Sequence, residues 1–316
     1  MLNPGTLNFD GRLSFESLQA AVAVHVLPND VIDSERVKRA QGCEILISKE
    51  LPFPKGVIEG LPDEVRLICE AGTGVDNIDV GAAKKKNIIV CNVPDYSTSS
   101  VAQLTMSFIL ALSTGMQRLI RNVAVRDLAD FQAQLRYLHS EVEGKTLGVI
   151  GAGAIGERVI RFARAFDMTV RVYNPSPRSW PDKKIKQVEF EEVLEASHFV
   201  SLHRPYENDS APLIRTETIG HMKQRPYLVN TARGRLVNHE DLAEALKSGQ
   251  LAGAALDVQH PEPLPEDHEL WSMANVILTP HIGWKSIEAR KRLVKKLGEN
   301  IKAFLSGTPI NVVKPS

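Results

Sequence analysis

Lys145-Thr-Leu-Gly-Val-Ile-Gly151-Ala-Gly153-Ala-Ile-Gly156 is the stretch that decides the fold. Thr146–Ile150 is a short apolar run of the kind a buried strand uses. It leads straight into a G-x-G-x-x-G turn, and Glu157–Phe166 continues with helical periodicity. The glycine pattern alone is a weak signal. Set between a strand and a helix, it reads as a phosphate-binding turn. Gly151 permits the tight turn, Gly153 removes a Cβ from the path of a pyrophosphate, and Gly156 lets helix and strand pack closely. The helix N-terminus offers unpaired N–H groups and a positive dipole end to the anion.

The next strand, Thr169–Tyr173, should end at the residue that reads a dinucleotide's ribose, normally Asp or Glu. Here that residue is Asn174, followed by Pro175, Ser176, Pro177 and Arg178. Asn can hydrogen-bond a ribose without repelling a 2′-phosphate, and Arg178 can attract one. The pattern favours NAD(H) and admits NADP(H).

Outward from this unit, short apolar runs alternate with amphipathic segments. The early runs are Ala20–Leu27, Glu44–Ile47, Val65–Cys69 and Ile88–Cys91. The later ones are His198–Leu202, Tyr227–Asn230, Ala252–Leu256 and Val276–Leu278. Runs this short, apolar on both faces, suit a parallel sheet covered by helices, and their alternation with helices is the α/β signature. Two longer helical stretches interrupt the pattern. One runs from Ser100 to Phe131, with Ser99 or Ser100 as its N-cap. The other begins near Ser286 and runs to Leu305, before Gly307 and Pro309. The expected architecture is α/β, with two Rossmann-like domains built on doubly wound parallel sheets. A smaller, discontinuous substrate domain (residues 1–98 and 286–316) would hold an inserted dinucleotide-binding domain (residues 99–285).

A chain of 316 residues suits two domains at roughly 150 residues each. Lys+Arg and Asp+Glu are both 38, and the zero formal charge argues against a nucleic-acid or polybasic membrane-surface partner. With 43% hydrophobic and 24% charged residues, the chain is not a disordered one. The basic runs Lys84–Lys86 and Arg290–Lys296 read as solvated faces, the second on a helix whose Leu293, Leu297 and Ile301 form an apolar stripe. Cys43, Cys69 and Cys91 form no C-x-x-C pair and read as core or half-buried thiols in a reducing compartment. Met1–Leu13 has no signal-peptide pattern. Val101–Met116, the most apolar stretch, is interrupted by polar residues and falls short of the ~18–20 apolar residues of a membrane span. A soluble, cytoplasmic protein is expected. His139, His239, His260 and His268 lack metal-like spacing, so no metal is expected.

Ligands of open α/β sheets bind beyond the carboxyl ends of the strands. Four late runs deliver polar groups there. Leu202 is followed by His203-Arg-Pro, Asn230 by Thr231-Ala-Arg233-Gly, Leu256 by Asp257-Val and then His260-Pro-Glu262, and Leu278 by Thr279-Pro-His281-Ile-Gly-Trp284. Arg, Glu and His beside a nicotinamide suit a 2-oxo acid. The Arg clamps the carboxylate with two parallel hydrogen bonds. The His delivers the proton that the new alkoxide needs. A carboxylate beside the His favours the imidazolium and fixes the ring. His203 reads as a hydrogen-bonded or shaping residue.

The sequence resembles the D-isomer-specific 2-hydroxyacid dehydrogenase family. The matching segments are Ala71-Gly-Thr-Gly-Val-Asp-Asn-Ile-Asp79, Asn92-Val-Pro-Asp-Tyr-Ser-Thr-Ser-Ser-Val-Ala-Gln103, Gly151–Gly156, Asn230-Thr-Ala-Arg-Gly234, Ala255-Leu-Asp-Val258 and Thr279-Pro-His-Ile-Gly283, in the family's order. The resemblance implies that Arg233 binds the substrate carboxylate, His281 is the acid/base and Glu262 is its partner. It implies that Thr73 and Gly74 contact substrate or nicotinamide. It places Ala154 and Ile155 under the pyrophosphate, with Asp257 holding the carboxamide. Thr105, Asn174 and Thr231 complete the expected cofactor contacts.

Departures from relatives narrow the substrate. The phosphoglycerate branch usually has Arg before the Ala71–Asp79 motif, whereas Glu70 here would repel a substrate phosphate. The formate branch pairs its His with Gln, and Glu262 argues against it. Tyr96-Ser-Thr, Ala102-Gln103, Trp284 and Lys49 resemble the glycerate dehydrogenase/hydroxypyruvate reductase branch. Lys49 and Trp284 are accordingly expected at the substrate, and hydroxypyruvate or glyoxylate is the expected substrate class. A dehydrogenase for a larger aromatic or branched 2-oxo acid is the first alternative. A nucleotide-sensing corepressor, which no assay on 2-oxo acids would light up, is the second. The resemblance also implies a homodimer. Val101, Leu104, Phe108, Leu112, Leu119, Val123 and Leu128 are the apolar residues that could serve it.

Overall fold

The computed structural model describes residues 4–20, 22–25, 33–124, 139–206 and 210–315. The chain divides into two compact units, Met1–Ser97 with Trp284–Ser316, and Thr98–Gly283.

In the first unit β1 (Ile45–Ser48), β2 (Leu67–Glu70) and β3 (Ile89–Cys91) form a parallel sheet in that order. All four β2 residues are buried, as a central strand covered on both faces requires. The helix Ile287–Leu305 covers one face. Leu293, Leu297 and Ile301 are fully buried in a cluster with Leu67, Cys69 and Cys91. Ser286 caps this helix, its side chain accepting from the Ala289 N–H. Burial pushes the Cys69 and Cys91 thiols up, to about 12 and about 11.

Two expectations for this unit need correction. Of the run Ala20–Leu27, residues 20 and 22–25 form no strand; Val22 and Val24 pack onto the core as irregular backbone, and the rest lies outside the described residues. The basic run Arg290–Lys296 is not simply a solvated face. Arg290 is buried, donates to both carboxylate oxygens of Asp10 at 2.8 and 2.6 Å, and lies over the Phe9 ring. Arg292 donates to the Tyr96 carbonyl and Lys296 to the Pro94 carbonyl. These cations tie the helix to the N-terminal segment and to the chain after β3.

The second unit is a seven-stranded parallel sheet. Its strands are β4 (Thr146–Ile150), β5 (Thr169–Tyr173), β6 (Ile185–Gln187), β7 (Phe199–Leu202), β8 (Tyr227–Asn230), β9 (Gly253–Leu256) and β10 (Val276–Leu278). Their order is β10-β9-β8-β7-β4-β5-β6. The order reverses between β4 and β7, which is the switch point where doubly wound sheets open a crevice. β7 and β9 are buried throughout, and β4 in four of its five residues. β6 escapes sequence detection because Ile-Lys-Gln has no apolar run; it pairs only with β5, at the sheet's edge.

The first long helical stretch begins at Thr98, so Ser99 and Ser100 lie inside it rather than capping it. It breaks at Gly115, where φ is +65°, and Met116–Ala124 continues at a 72° bend. Val101, Phe108 and Leu112 are buried in the unit's own core, so packing within the chain accounts for them. The Val123 side chain and the segment carrying Leu128 lie outside the described residues. Among the described residues, no single helix is long and apolar enough to cross a membrane.

Candidate active site

The glycine turn follows β4 at the switch point. Gly151 has φ +98°, and a Cβ there would stand 2.7 Å from the His203 carbonyl oxygen at the end of β7. A Cβ on Gly156 would stand 2.1 Å from the Gly151 oxygen. Gly153 is different. It caps the helix Ala154–Ala165 with no side-chain hydrogen bond, and a Cβ there would meet no protein atom within 4 Å. Packing therefore does not demand a glycine at 153. An exposed cradle at a helix N-terminus, which a methyl group would fill, fits a pyrophosphate. Ala154 is exposed and Ile155 half-buried beside it.

Asn174 directly follows β5, and its amide is engaged in the turn itself. Its Oδ1 accepts from the Ala152 N–H at 2.9 Å, and its Nδ2 donates to the Ser176 carbonyl at 2.8 Å. Gln187 on β6 braces the same segment, donating to the Asn174 carbonyl at 2.8 Å and accepting from the Arg178 N–H at 2.6 Å. Both ends of the Asn174 amide thus go to backbone.

After β8 the chain builds a tight loop around Asn230. Its Oδ1 accepts from the Ala232 N–H at 3.0 Å and its Nδ2 donates to the Arg233 carbonyl at 2.8 Å. This presents Arg233, half-exposed, at the strand end. Thr231 is held from behind: its hydroxyl lies 3.1 Å from that of Thr105. Thr105 is fully buried and also donates to the Val101 carbonyl. It has no exposed surface to offer a cofactor, contrary to expectation, and supports Thr231 instead. Gly234 carries the tightest contact in the region. A Cβ there would stand 1.9 Å from the Gln259 carbonyl oxygen.

Asp257 follows β9 and is 1% exposed. Its carboxylate accepts from Thr279 Oγ1 at 2.7 Å, the Ile282 N–H at 2.8 Å and the Gly283 N–H at 2.8 Å. Its carbonyl accepts from the His281 N–H at 2.8 Å. Burial raises the Asp257 pKa, and these hydrogen bonds oppose the shift. The carboxylate expected at a carboxamide is thus spent on the loop that carries His281. That loop needs holding, because His281 has φ +53°, in the left-handed region. His281 Nδ1 lies 3.3 Å from Glu262 Oε1, with both side chains about one-third exposed (38% and 36%). His203 plays no such part: burial pushes it down to about 3, and its Nε2 lies 2.8 Å from Ser201 Oγ.

The other expected residues lie in the first unit. Lys49 follows β1, almost fully buried, with Nζ paired to the Glu50 carboxylate and 3.9 Å from the Trp284 ring centre. Trp284 is itself buried. Thr73 is exposed and donates from Oγ1 to the Val93 carbonyl at 3.1 Å, and Gly74 is half-exposed beside it. Glu70 does not offer an outward charge. Its oxygens accept from the Glu50 N–H at 3.0 Å and from Asn77 Nδ2 at 3.2 Å, and burial pushes its pKa up to about 7. Among the described residues no group of His, Cys, Asp or Glu is arranged to hold a metal ion.

The sequence gives no role to Asn230 or Gly234 beyond their place in the Asn230–Gly234 segment, and none to Gln259. A glycine directly after a strand-end Arg was the available signal for a close backbone approach.

A doubly wound parallel sheet with an open glycine turn at its switch point, and ionisable groups on its strand ends, fits a dinucleotide-binding enzyme. Residues 106–283 match the model of the D-isomer specific 2-hydroxyacid dehydrogenase NAD binding domain. The chain belongs to this family, and it is an oxidoreductase that uses a nicotinamide nucleotide and acts on CH–OH donors. It is 33% identical over 316 residues to a hydroxypyruvate reductase of Blautia hydrogenotrophica, covering 99% of this chain and 96% of that protein. It is 35% identical over 281 residues to a glyoxylate reductase of Korarchaeum cryptofilum, covering 88% and 84%. Among solved structures it is similar to an acyclic imino acid reductase in complex with NADPH and D-Arg, with TM-score 0.85, 30% identity and 95% and 94% coverage.

Proposed function

We propose that this chain reduces a small 2-oxo acid, of the hydroxypyruvate or glyoxylate class, to its D-2-hydroxy acid. The observation that carries the reading is His281 with Nδ1 against Glu262, on a loop fixed by Asp257, with Arg233 presented at the end of β8 in the same sheet. The names of the two relatives above support the small substrate. Bound on the glycine turn, NAD(P)H supplies the hydride. Gly151, Gly153, Ala154, Ile155 and Gly156 would hold its pyrophosphate, with Asn174, Thr231 and Asp257 shaping the rest of the nucleotide site.

Arg233 binds the substrate carboxylate and points the carbonyl oxygen at His281. His281, doubly protonated, gives its proton to that oxygen as hydride arrives at carbon. Glu262, 3.3 Å from Nδ1, fixes the orientation of the ring. Lys49, Thr73, Gly74 and Trp284 are the proposed substrate contacts of the first unit. The protein works in the cytoplasm as a homodimer. Met116 and Ile120, 45% and 62% exposed on the helix after the bend, support a self-association face there.

The test is steady-state kinetics with hydroxypyruvate, glyoxylate, phenylpyruvate and a 3-phosphorylated 2-oxo acid, each with NADH and NADPH. The highest kcat/KM is expected with hydroxypyruvate or glyoxylate. A preference for phenylpyruvate or for the phosphorylated acid, or no turnover at all, would overturn the substrate assignment.

A further inference from the structure

Gln259 lies between the two loops that carry Arg233 and His281. It is 5% exposed. Its Nε2 donates to the Leu256 carbonyl, at the end of β9, at 3.0 Å. The same nitrogen donates to the Thr279 carbonyl, just after β10, at 3.2 Å. A Gln amide has two N–H groups, and here each goes to a different strand end. The backbone carbonyl of Gln259 packs on Gly234, directly after Arg233. Two residues upstream Asp257 grips the His281 loop, and three residues downstream is Glu262.

A buried amide costs desolvation unless its hydrogen bonds are made, and an apolar side chain could fill the same space without that cost. The β9–β10 ladder already sets the register of the two strands; what the amide adds is a second tie between their ends. We propose that Gln259 is a positioning residue: its amide fastens the ends of β9 and β10 to each other, and so sets His281 against Glu262 while its backbone sets the Arg233 loop. The proposal rests on the roles given to Arg233 and His281 above.

The fold does not depend on this amide. The Leu256 carbonyl also accepts from the Thr279 N–H, and the Thr279 carbonyl from the His281 N–H, both at 3.0 Å. Gln259→Met keeps the volume and removes both donors, so it should fold. Its melting temperature and its affinity for NAD(P)H should stay close to those of the parent. Its kcat should fall about 10- to 100-fold, as expected of reacting groups misplaced by up to 1 Å, with a smaller change in KM. Gln259→Glu adds a readout that a merely structural role would not move. Its ionised form faces two carbonyls with no donor, whereas its protonated form regains one O–H. Its activity relative to the parent should therefore rise as pH falls.

Parent-like kcat in Gln259→Met, a loss that only tracks unfolded fraction, or a pH-independent ratio for Gln259→Glu would each overturn the proposal. His281→Ala separates it from the reading beneath it. If that variant turns over like the parent, the assigned role of His281 is wrong. The imidazole ¹⁵N signals of His281 then decide on Gln259: a shift in Gln259→Met upholds the positioning, and unchanged signals overturn it.

Discussion

Gly234→Ala is the sharpest perturbation the structure offers. The added Cβ would stand 1.9 Å from the Gln259 carbonyl oxygen and 2.1 Å from its carbon. A carbon–oxygen contact of this kind settles at about 3.3 Å, so the two loops must part by about 1.4 Å. Neither atom belongs to a flexible side chain, and the strain must be met by backbone. One loop carries Arg233 and the other leads to Glu262. A 1 Å misplacement of reacting groups can cost about 10²-fold in rate, so kcat/KM should fall by about 10²-fold or more. Overpacking costs about 1–3 kcal/mol, which in a unit the size of Thr98–Gly283 lowers its melting temperature by roughly 2–12 °C. Initial rates of NAD(P)H oxidation measure the first effect and thermal unfolding the second. Cofactor affinity, measured by fluorescence, should fall by much less than the rate, because the pyrophosphate cradle lies on another strand and only Thr231 and Asp257 of the proposed nucleotide contacts flank the parted loops. Parent-like kcat/KM would refute the close approach. So would a loss of cofactor binding as large as the loss of rate, because it would mean general disruption.

Gly153→Ala should behave in the opposite way: the melting temperature stays put because the new methyl meets no protein atom within 4 Å, while the NAD(P)H dissociation constant rises tenfold or more, and unchanged affinity would remove the pyrophosphate from this cradle. His281→Ala should lower kcat by roughly 10²–10⁴-fold, the range for loss of a general acid, and retained turnover in stopped-flow or steady-state assays would end its assignment. Glu70→Gln should change how stability depends on pH. Burial raises Glu70 to about 7, so the folded state holds a proton that the unfolded state has released, and stability falls as pH rises from about 4.5 through 7. Relative to Glu70→Gln the parent should lose on the order of 3 kcal/mol across that window, and parallel unfolding curves between pH 4 and 8 would show that the carboxylate is not buried.

Much of the fold was legible because its signals are local. Apolar runs at β4, β5, β8 and β10 coincide with the strands to the residue; β4 and β8 are buried almost throughout, and β5 still shows its Val170 and Val172 on the buried face beside Arg171. The turn after β4 was legible because strand, glycine pattern and helix adjoin in the chain. β6 was not, being a polar edge strand that exists through pairing with β5. Arg290 was misread because sequence shows a basic run but not that Asp10 and Phe9, near the other terminus, converge on one member of it. The positions of Arg233, Glu262 and His281 beyond strand ends were legible for the same reason as the turn. What each neighbour spends its polar atoms on was not.

Asp257 shows why. Polar groups at strand ends invite a ligand reading, and nothing in Ala-Leu-Asp-Val says otherwise. Three donors of the Thr279–Gly283 loop converge on its carboxylate, and His281 within that loop adopts φ +53°. A left-handed residue of this kind costs roughly 1–2 kcal/mol. A hydrogen bond to a charged group contributes about 1.5–3 kcal/mol, so even after the desolvation that raises the Asp257 pKa, three of them suffice to hold one strained residue. The acid/base of the proposed reaction is therefore kept in place by an ion that need not touch a ligand. Its dependence on that ion is a property of four backbone and side-chain positions meeting across two strand ends, and no single segment of sequence contains them.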